Sequence, residues 1–285
     1  MAKYDKPLGE SGIEWTNRTW NPTTGCDKIS AGCKHCYAEA LAKRLEAMGN
    51  PRYRNGFGVT LHPDKLREPA AWRTSEWVFV NSMSDLLHAD IPDEFILAAF
   101  ATMGRLAPWH RYQVLTKRAE RWPAISAAVA DLLGGFPRNV LPGVSVEKKR
   151  ALARLPFLGA AGGNGACRML SVEPLLESLC DGDVAGLAQQ LRAAKIGWVI
   201  TGGEAGWHAR PAVDDWFREV RDACAMAGVP FFHKQFGGQA MTKEGKRGGT
   251  LAVLDGQLHH EMPSVWAAPA PSSRQPSLLG MDSRA

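Results

Sequence analysis

Short runs of aliphatic, aromatic and β-branched residues recur along the chain at 77–81, 112–116, 140–146, 168–172, 198–201 and 229–233. An earlier strand-like stretch, 13–21, runs into Pro22-Thr23-Thr24-Gly25. Between these runs lie segments of helix-forming composition at 37–48, 93–106, 119–133, 147–155, 184–194 and 214–227. Asp93 and Asp214 or Asp215 stand there as N-caps or first-turn acids. Strands that alternate with helices pair in parallel through right-handed crossovers. With strands spaced by roughly 25 to 35 residues, the pattern predicts an α/β fold: a partial (β/α) barrel of about six to seven parallel strands. An open doubly wound sheet is the alternative.

Each apolar run ends in chemically capable residues. These are Asn81-Ser82-Met83-Ser84-Asp85, Thr116-Lys117-Arg118, Ser145-Val146-Glu147, Ser171-Val172-Glu173-Pro174, Gly202-Gly203-Glu204 and His233-Lys234-Gln235. The carboxyl ends of parallel strands converge on one face, so Asp85, Thr116, Glu147, Glu173, Glu204 and Lys234 are expected around one cavity. Helix caps and solvated turns are the bland explanation of any one of them.

The barrel is expected over 13–240, with an N-terminal extension at 1–12, a C-terminal extension at 241–262 and a disordered Ala-, Pro-, Ser- and Gln-rich tail at 263–285. At 45% hydrophobic and 22% charged, the composition is that of a globular protein and excludes a fibrous or wholly disordered chain. No apolar run approaches the ~18 residues of a membrane span, and the start lacks a signal-peptide core, so the expected compartment is the cytoplasm and no membrane is expected as partner. Lys and Arg number 34 against 29 Asp and Glu, a net charge of +5 compatible with an anionic partner.

Cysteines sharpen the picture. Cys26, Cys33 and Cys36 follow the spacing C-x6-C-x2-C within one polar loop, whereas Cys167, Cys180 and Cys224 lie among apolar neighbours and read as small buried hydrophobes. Three thiols on a loop point to a metal centre. Structural zinc needs four ligands, and His35, wedged between two of the cysteines, is poorly placed to close a tetrahedron, so His62 or His88 would have to be recruited. A cubane iron–sulfur cluster held by three thiolates leaves one iron open to an external ligand. Three cysteines without a fourth favour the cluster, with zinc as the alternative.

A three-cysteine loop after the first strand of a βα barrel resembles the radical S-adenosylmethionine superfamily. Gly25-Cys26 through Cys33-Lys34-His35-Cys36-Tyr37-Ala38, together with the strand-end motifs from Asn81 to Gln235, looks like a phage-associated branch of it. Two features depart from the superfamily pattern: its common spacing is C-x3-C-x2-C, and its Gly-Gly-Glu segment follows an early strand, whereas Gly202-Gly203-Glu204 follows a late one.

The resemblance implies a 4Fe-4S cluster on Cys26, Cys33 and Cys36, S-adenosyl-L-methionine as cofactor, and an external electron donor. It implies that Asp85 or Glu204 accepts from the cofactor ammonium, that Ser82, Ser84 and Thr116 bond its ribose or carboxylate, and that Lys117 or Arg118 pairs with the carboxylate. Lys117, Arg118, Arg210, His233 and Lys234 then supply positive charge, and Trp207 and Trp109 stacking faces, for phosphate and base. A duplex DNA substrate requires its base to be extruded. Some phage members of the resembling branch take part in thymidine hypermodification, rearranging an amino acid attached to 5-hydroxymethyluracil in DNA. A zinc-stabilised nucleic-acid-binding module without catalysis accounts for the cysteines and the basic rim, but leaves the polar strand ends without a task.

Overall fold

Strand and helix alternate as the hydrophobic pattern requires. A computed structural model describes residues 11–206, 208–238 and 252–264. The chain opens with β1 (Arg18–Trp20), followed by the two-residue strands β2 (Thr23–Thr24) and β3 (Thr60–Leu61), which pair antiparallel and flank α1 (Tyr37–Ala47). Then come β4 (Trp77–Val80), α2 (Asp93–Ala101), β5 (Arg111–Thr116), α3 (Trp122–Leu133), β6 (Val140–Ser145) and α4 (Leu155–Ala160). The series continues with β7 (Arg168–Val172), α5 (Val184–Ala193), β8 (Ile196–Gly202), α6 (Asp214–Ala227) and β9 (Phe231–Gln235). Seven strands form one all-parallel sheet in the order β1-β4-β5-β6-β7-β8-β9, curled into a half-barrel. The expected partial β/α barrel is therefore the fold. Among the described residues no helix is long and apolar enough to cross a membrane.

Period-two alternation sorts the side chains. Val78, Val80, Tyr112, Val114, Val140, Val144, Leu170, Val172, Val199 and Phe231 join the large core beneath the helices. Their neighbours Phe79, Leu141, Met169, Trp198, Ile200 and Phe232 point the other way and, with Trp15, fill the concave face. Trp15 reaches it because residues 15–17 turn away from the sheet direction: the Trp15 carbonyl accepts from Gln113 Nε2 at 3.0 Å, while Asn17 exchanges bonds with the backbone of Trp77. That turn shortens the expected strand 13–21 to three residues. The aromatic plug fills the sheet's interior, so ligand chemistry is confined to the mouth at the carboxyl ends.

Two helices start later than composition suggests. Residues 149–154 are a 3₁₀ turn and α4 begins only at Leu155, because Pro156 has no N–H to donate to Leu152 and is tolerated only in a first turn. Pro123 acts likewise at the start of α3. Asp93, Asp214 and Asp215 are first-turn acids rather than N-caps, those positions being Pro92 and Val213.

Residues 252–262, expected as an extension, close the sheet's far edge. A hairpin of β10 (Val253–Leu254) and β11 (Gln257–Leu258) buries Leu254 completely in the large core. Residues 259–261 then lie antiparallel to β9, with His233 N donating to His259 O at 2.7 Å and Glu261 N to Phe231 O at 3.1 Å, so that edge presents no open row of donors. The expected extension 1–12 and tail 263–285 fall almost wholly outside the described residues.

Candidate functional site

The loop 26–36 lies across the mouth of the half-barrel. It starts from Gly25, whose φ of +86° and whose Cα position, where a Cβ would come within 2.2 Å of Gly58 O, leave room for glycine alone. Gly25 N bonds Met83 O, Ser84 Oγ bonds Gly25 O, and Cys26 N bonds Phe57 O at 3.1 Å, so Cys26 leaves a rigidly held backbone. Cys33 ends a 3₁₀ turn and Cys36 is the N-cap of α1. All three thiols are half-buried.

Successive loop positions touch successive strand ends. Beyond β5, Arg118 Nη1 donates to Cys26 Sγ at 3.4 Å. Beyond β6, Glu147 accepts from the Ser30 hydroxyl and from Arg154 at 2.9 Å. Gly32 threads between β6 and β7, where an added Cβ would sit 3.3 Å from both Glu147 Cγ and Pro174 Cδ. Beyond β8, Glu204 Oε2 accepts from His35 Nδ1 at 3.0 Å and from Arg210 N and Nε at 2.9 Å, and Arg210 Nη2 reaches back to Ala31 O at 3.0 Å. Near the end of β9, Lys234 pairs with Glu173, the residue after β7, at 2.5 Å. The polar strand ends thus share one face with the cysteine loop.

Their roles differ from the expected ones. Asp85, 6% exposed, is saturated: Oδ1 accepts from Thr116 Oγ1 at 2.7 Å and Leu87 N at 3.0 Å, and Oδ2 from Lys117 N and Arg118 Nη1, both at 3.1 Å. No lone pair is left aimed at a cofactor ammonium, so Asp85 and Thr116 hold Arg118 instead. Arg118, half in contact with Cys26 and 6% exposed, faces inward and is not a substrate-side charge. Ser82 exchanges bonds with the Asn21 amide, and Ser84 accepts from Thr23 at 3.0 Å while donating to Gly25 O. Both hydroxyls brace the start of the loop. Glu204 and Arg210 are paired with each other. Lys117 is different: no partner of its ammonium is found among the described residues, and its charge acts on both Cys33 and Glu147.

His233 is misassigned to the mouth. Phe232 and Lys234 face the concave side, so the intervening ring points outward beneath α6, 4.9 Å from Phe217 and fully buried. Burial, with His259 and His260 nearby, pushes its pKa down to about 4. Trp109 precedes β5 and bonds Trp72 O at the opposite rim, away from the cysteines. Trp207 lies outside the described residues.

Electrostatics separate two of the thiols. Burial and the Asp85 carboxylate raise the Cys26 pKa against the opposing pull of Arg118. Burial also works to raise Cys33, but the Ser30 hydroxyl, backbone donors at Ile29 and Ser30 and the Lys117 charge outweigh it and lower the pKa. Glu204 is held down to about 2 because the Arg210 side chain and backbone N–H and His35 overcome its burial. Of the other cysteines, Cys180 and Cys224 are buried, and burial pushes the Cys167 thiol up to about 12, as inert packing residues require.

Sequence reasoning missed His35 as a latch, Arg154 as the partner of Glu147, and the group Asp27, His88 and Asp90, whose ligand atoms lie within 4.8 Å of one another. His88 Nδ1 accepts from Asp90 N at 3.1 Å, while the buried Nε2 lies 3.2 Å from Asp27 Oδ2 without a hydrogen bond. Among the described residues, no thiol joins two other Cys, His, Asp or Glu ligand atoms within 4.8 Å. His62, the other candidate fourth zinc ligand, is bonded to Thr24 at 2.9 Å. A cleft of about 400 Å³ opens beside the loop, lined in part by Ser30, Glu147, Arg150, Arg154 and the exposed ring of Phe157.

No curated protein and no solved structure matches the chain. A protein-family model described as a protein of unknown function (DUF5131) matches residues 10–263, nearly the whole chain, which therefore belongs to that family.

Proposed function

We propose that this protein is a radical S-adenosylmethionine enzyme with a cluster on Cys26, Cys33 and Cys36. The observation that carries the reading is the loop itself: three half-buried thiols on a loop that successive strand ends hold at the mouth of a parallel half-barrel. The donor set fits the group. Around one zinc ion, with bonds of about 2.3 Å, thiolates crowd to roughly 3.8 Å from each other, whereas a cubane gives each thiolate its own iron and wider spacing. Three cysteines on one loop without a fourth suit the second arrangement.

A reduced cluster supplies the electron that splits the cofactor sulfonium, drawn from a low-potential external donor. The chain's own residues bind and orient. Lys117, whose ammonium has no partner among the described residues, offers it to the cofactor carboxylate, and Glu204, once released by Arg210, accepts from the cofactor ammonium. The aromatic plug of Trp15, Trp198 and Phe232 excludes water below. On the substrate side we propose a nucleic-acid-related molecule, the narrower form being an amino-acid-modified thymidine in DNA. The net charge of +5 and the cleft with exposed Arg150 and Phe157, a phosphate partner and a stacking face, support this half. A cytoplasmic setting keeps the thiols reduced.

Anaerobic reconstitution with iron and sulfide, followed by optical and electron paramagnetic resonance spectra and an assay for 5′-deoxyadenosine, tests the reading. The expected outcome is a cubane spectrum and reductive formation of 5′-deoxyadenosine. A protein that takes up one zinc per chain and no iron–sulfur chromophore returns the assignment to the binding module. A loaded cluster that neither binds nor cleaves the cofactor removes the enzyme.

A further inference from the structure

Arg118 is an unusual investment for a strand end. The residue is 6% exposed, and one guanidinium nitrogen, Nη1, stands 3.1 Å from Asp85 Oδ2 and 3.4 Å from Cys26 Sγ. Four further contacts fix that fork: Thr116 Oγ1 accepts from Arg118 N at 2.8 Å, the same hydroxyl donates to Asp85, and Asp85 takes Lys117 N and Leu87 N. A buried cation needs a counterion, and Asp85 supplies it. The remaining neighbour within hydrogen-bond reach is a cysteine sulfur. Cys33 and Cys36 have no such partner among the described residues: Cys33 is beside the Ser30 hydroxyl at 3.6 Å, and Cys36 caps a helix.

We infer that Arg118, oriented by Asp85 and Thr116, is a positioning residue that sets the reduction potential of the centre through Cys26. The inference rests on the proposed cluster reading. Donors to ligating sulfurs and local charge are among the protein's means of tuning such a centre. One-electron reduction from a low-potential donor makes the centre more negative by one charge, with no bond made or broken in the protein. A fixed cation on Cys26 stabilises the reduced form more than the oxidised one and raises the potential. Asp85 acts in the opposite sense, because its Oδ2 shares Arg118 Nη1 with the Cys26 sulfur and so sets a negative charge on the far side of the same donor. The two side chains thus oppose each other at one sulfur.

The opposition gives a test that a merely structural role does not mimic. Wild-type protein, Arg118→Gln, Arg118→Lys and Asp85→Asn are reconstituted, their iron and sulfide counted, and their midpoint potentials measured by titration with electron paramagnetic resonance detection. Arg118→Gln is expected to shift the midpoint negative, Arg118→Lys to recover part of the shift, and Asp85→Asn to shift it positive. Equal midpoints in the loaded wild type and Arg118→Gln overturn the inference, as do shifts of one sign in both Arg118→Gln and Asp85→Asn, which signal general loosening. If Arg118→Gln fails to hold iron, the sign of the Asp85→Asn shift decides: positive supports, zero or negative overturns. A wild type that forms no iron–sulfur chromophore fails at an earlier step, and removes the cluster reading together with this one.

Discussion

His35 and Glu204 lie 169 positions apart in the chain and 3.0 Å apart in the fold. Their contact joins the residue between Cys33 and Cys36 to the end of β8, and Arg210 completes the latch by bonding both Glu204 and Ala31 O. Glu204→Gln keeps the shape but removes the charge that four donors share, His35 Nδ1 and Arg210 N, Nε and Nη2. Amides of 30–36 are expected to exchange roughly tenfold faster by hydrogen–deuterium exchange, the equivalent of about 1.4 kcal/mol in local opening. The carboxylate's pKa is held at about 2, below its ordinary 4.5. Its contribution is therefore complete above that ordinary value and fades as pH falls toward 2.

Lys117 and Lys234 occupy the same mouth with different obligations. Lys234 is tied to Glu173, whereas the Lys117 ammonium has no partner among the described residues. If an anionic group docks beside Cys33, Lys117→Ala weakens cofactor binding by the reconstituted protein about tenfold at low ionic strength, and added salt narrows the difference. Calorimetric titration with S-adenosylmethionine measures both. Unchanged affinity in Lys117→Ala takes this lysine out of the site.

The strands were legible because a parallel sheet covered on one side by helices and on the other by an aromatic plug needs apolar residues at nearly every position. The run 140–146 reads that way, and β6 is buried throughout. Alternation within the runs also carried information that residue type alone concealed. His233 attracted a substrate role as a polar group at a strand end, yet its phase between Phe232 and Lys234 turns it beneath α6. Asp85 shows the reverse difficulty. Its carboxylate was recognisable as functional equipment, but its donors come from Leu87, Thr116, Lys117 and Arg118, and only the folded chain brings two strand ends together around it. Cysteine spacing identified the loop. It carried no information about the Arg118, Glu147 and Glu204 contacts that hold the loop down, because those depend on register between strands.

The buried His233 makes stability depend on acidity. Its pKa falls to about 4 in the fold from an ordinary 6.5, chiefly through burial. The unfolded chain takes up the proton first as pH drops, so stability is lost between about 6.5 and 4 and levels off below, by about 3 kcal/mol in all. Denaturant titrations at pH 7 and pH 5 are expected to differ less in His233→Gln than in the wild type. A pH difference as large in the variant assigns the acid sensitivity to other groups, His62, His110 and His260 being shifted in the same direction.

Gly25 is where backbone geometry and site chemistry meet, and Gly49 provides its control. Both have positive φ, +86° and +74°. An L side chain in that region costs about 1 kcal/mol at either position. Around Gly49 nothing lies within 4 Å of an added Cβ, so Gly49→Ala is expected to lose no more than that. At Gly25 the added methyl would stand 2.2 Å from Gly58 O and 2.7 Å from Phe57 O, both backbone atoms, and Phe57 O is also the acceptor for Cys26 N. The turn at 56–58 cannot yield without releasing Cys26. Gly25→Ala is accordingly expected to cost more than about 2 kcal/mol by denaturant titration and, in addition, to lower iron retention after reconstitution, which Gly49→Ala leaves unchanged. Equal stability losses in the two variants would mean that the 56–58 turn adapts freely, and that Cys26 is not held by the close approach of Gly25 to Gly58.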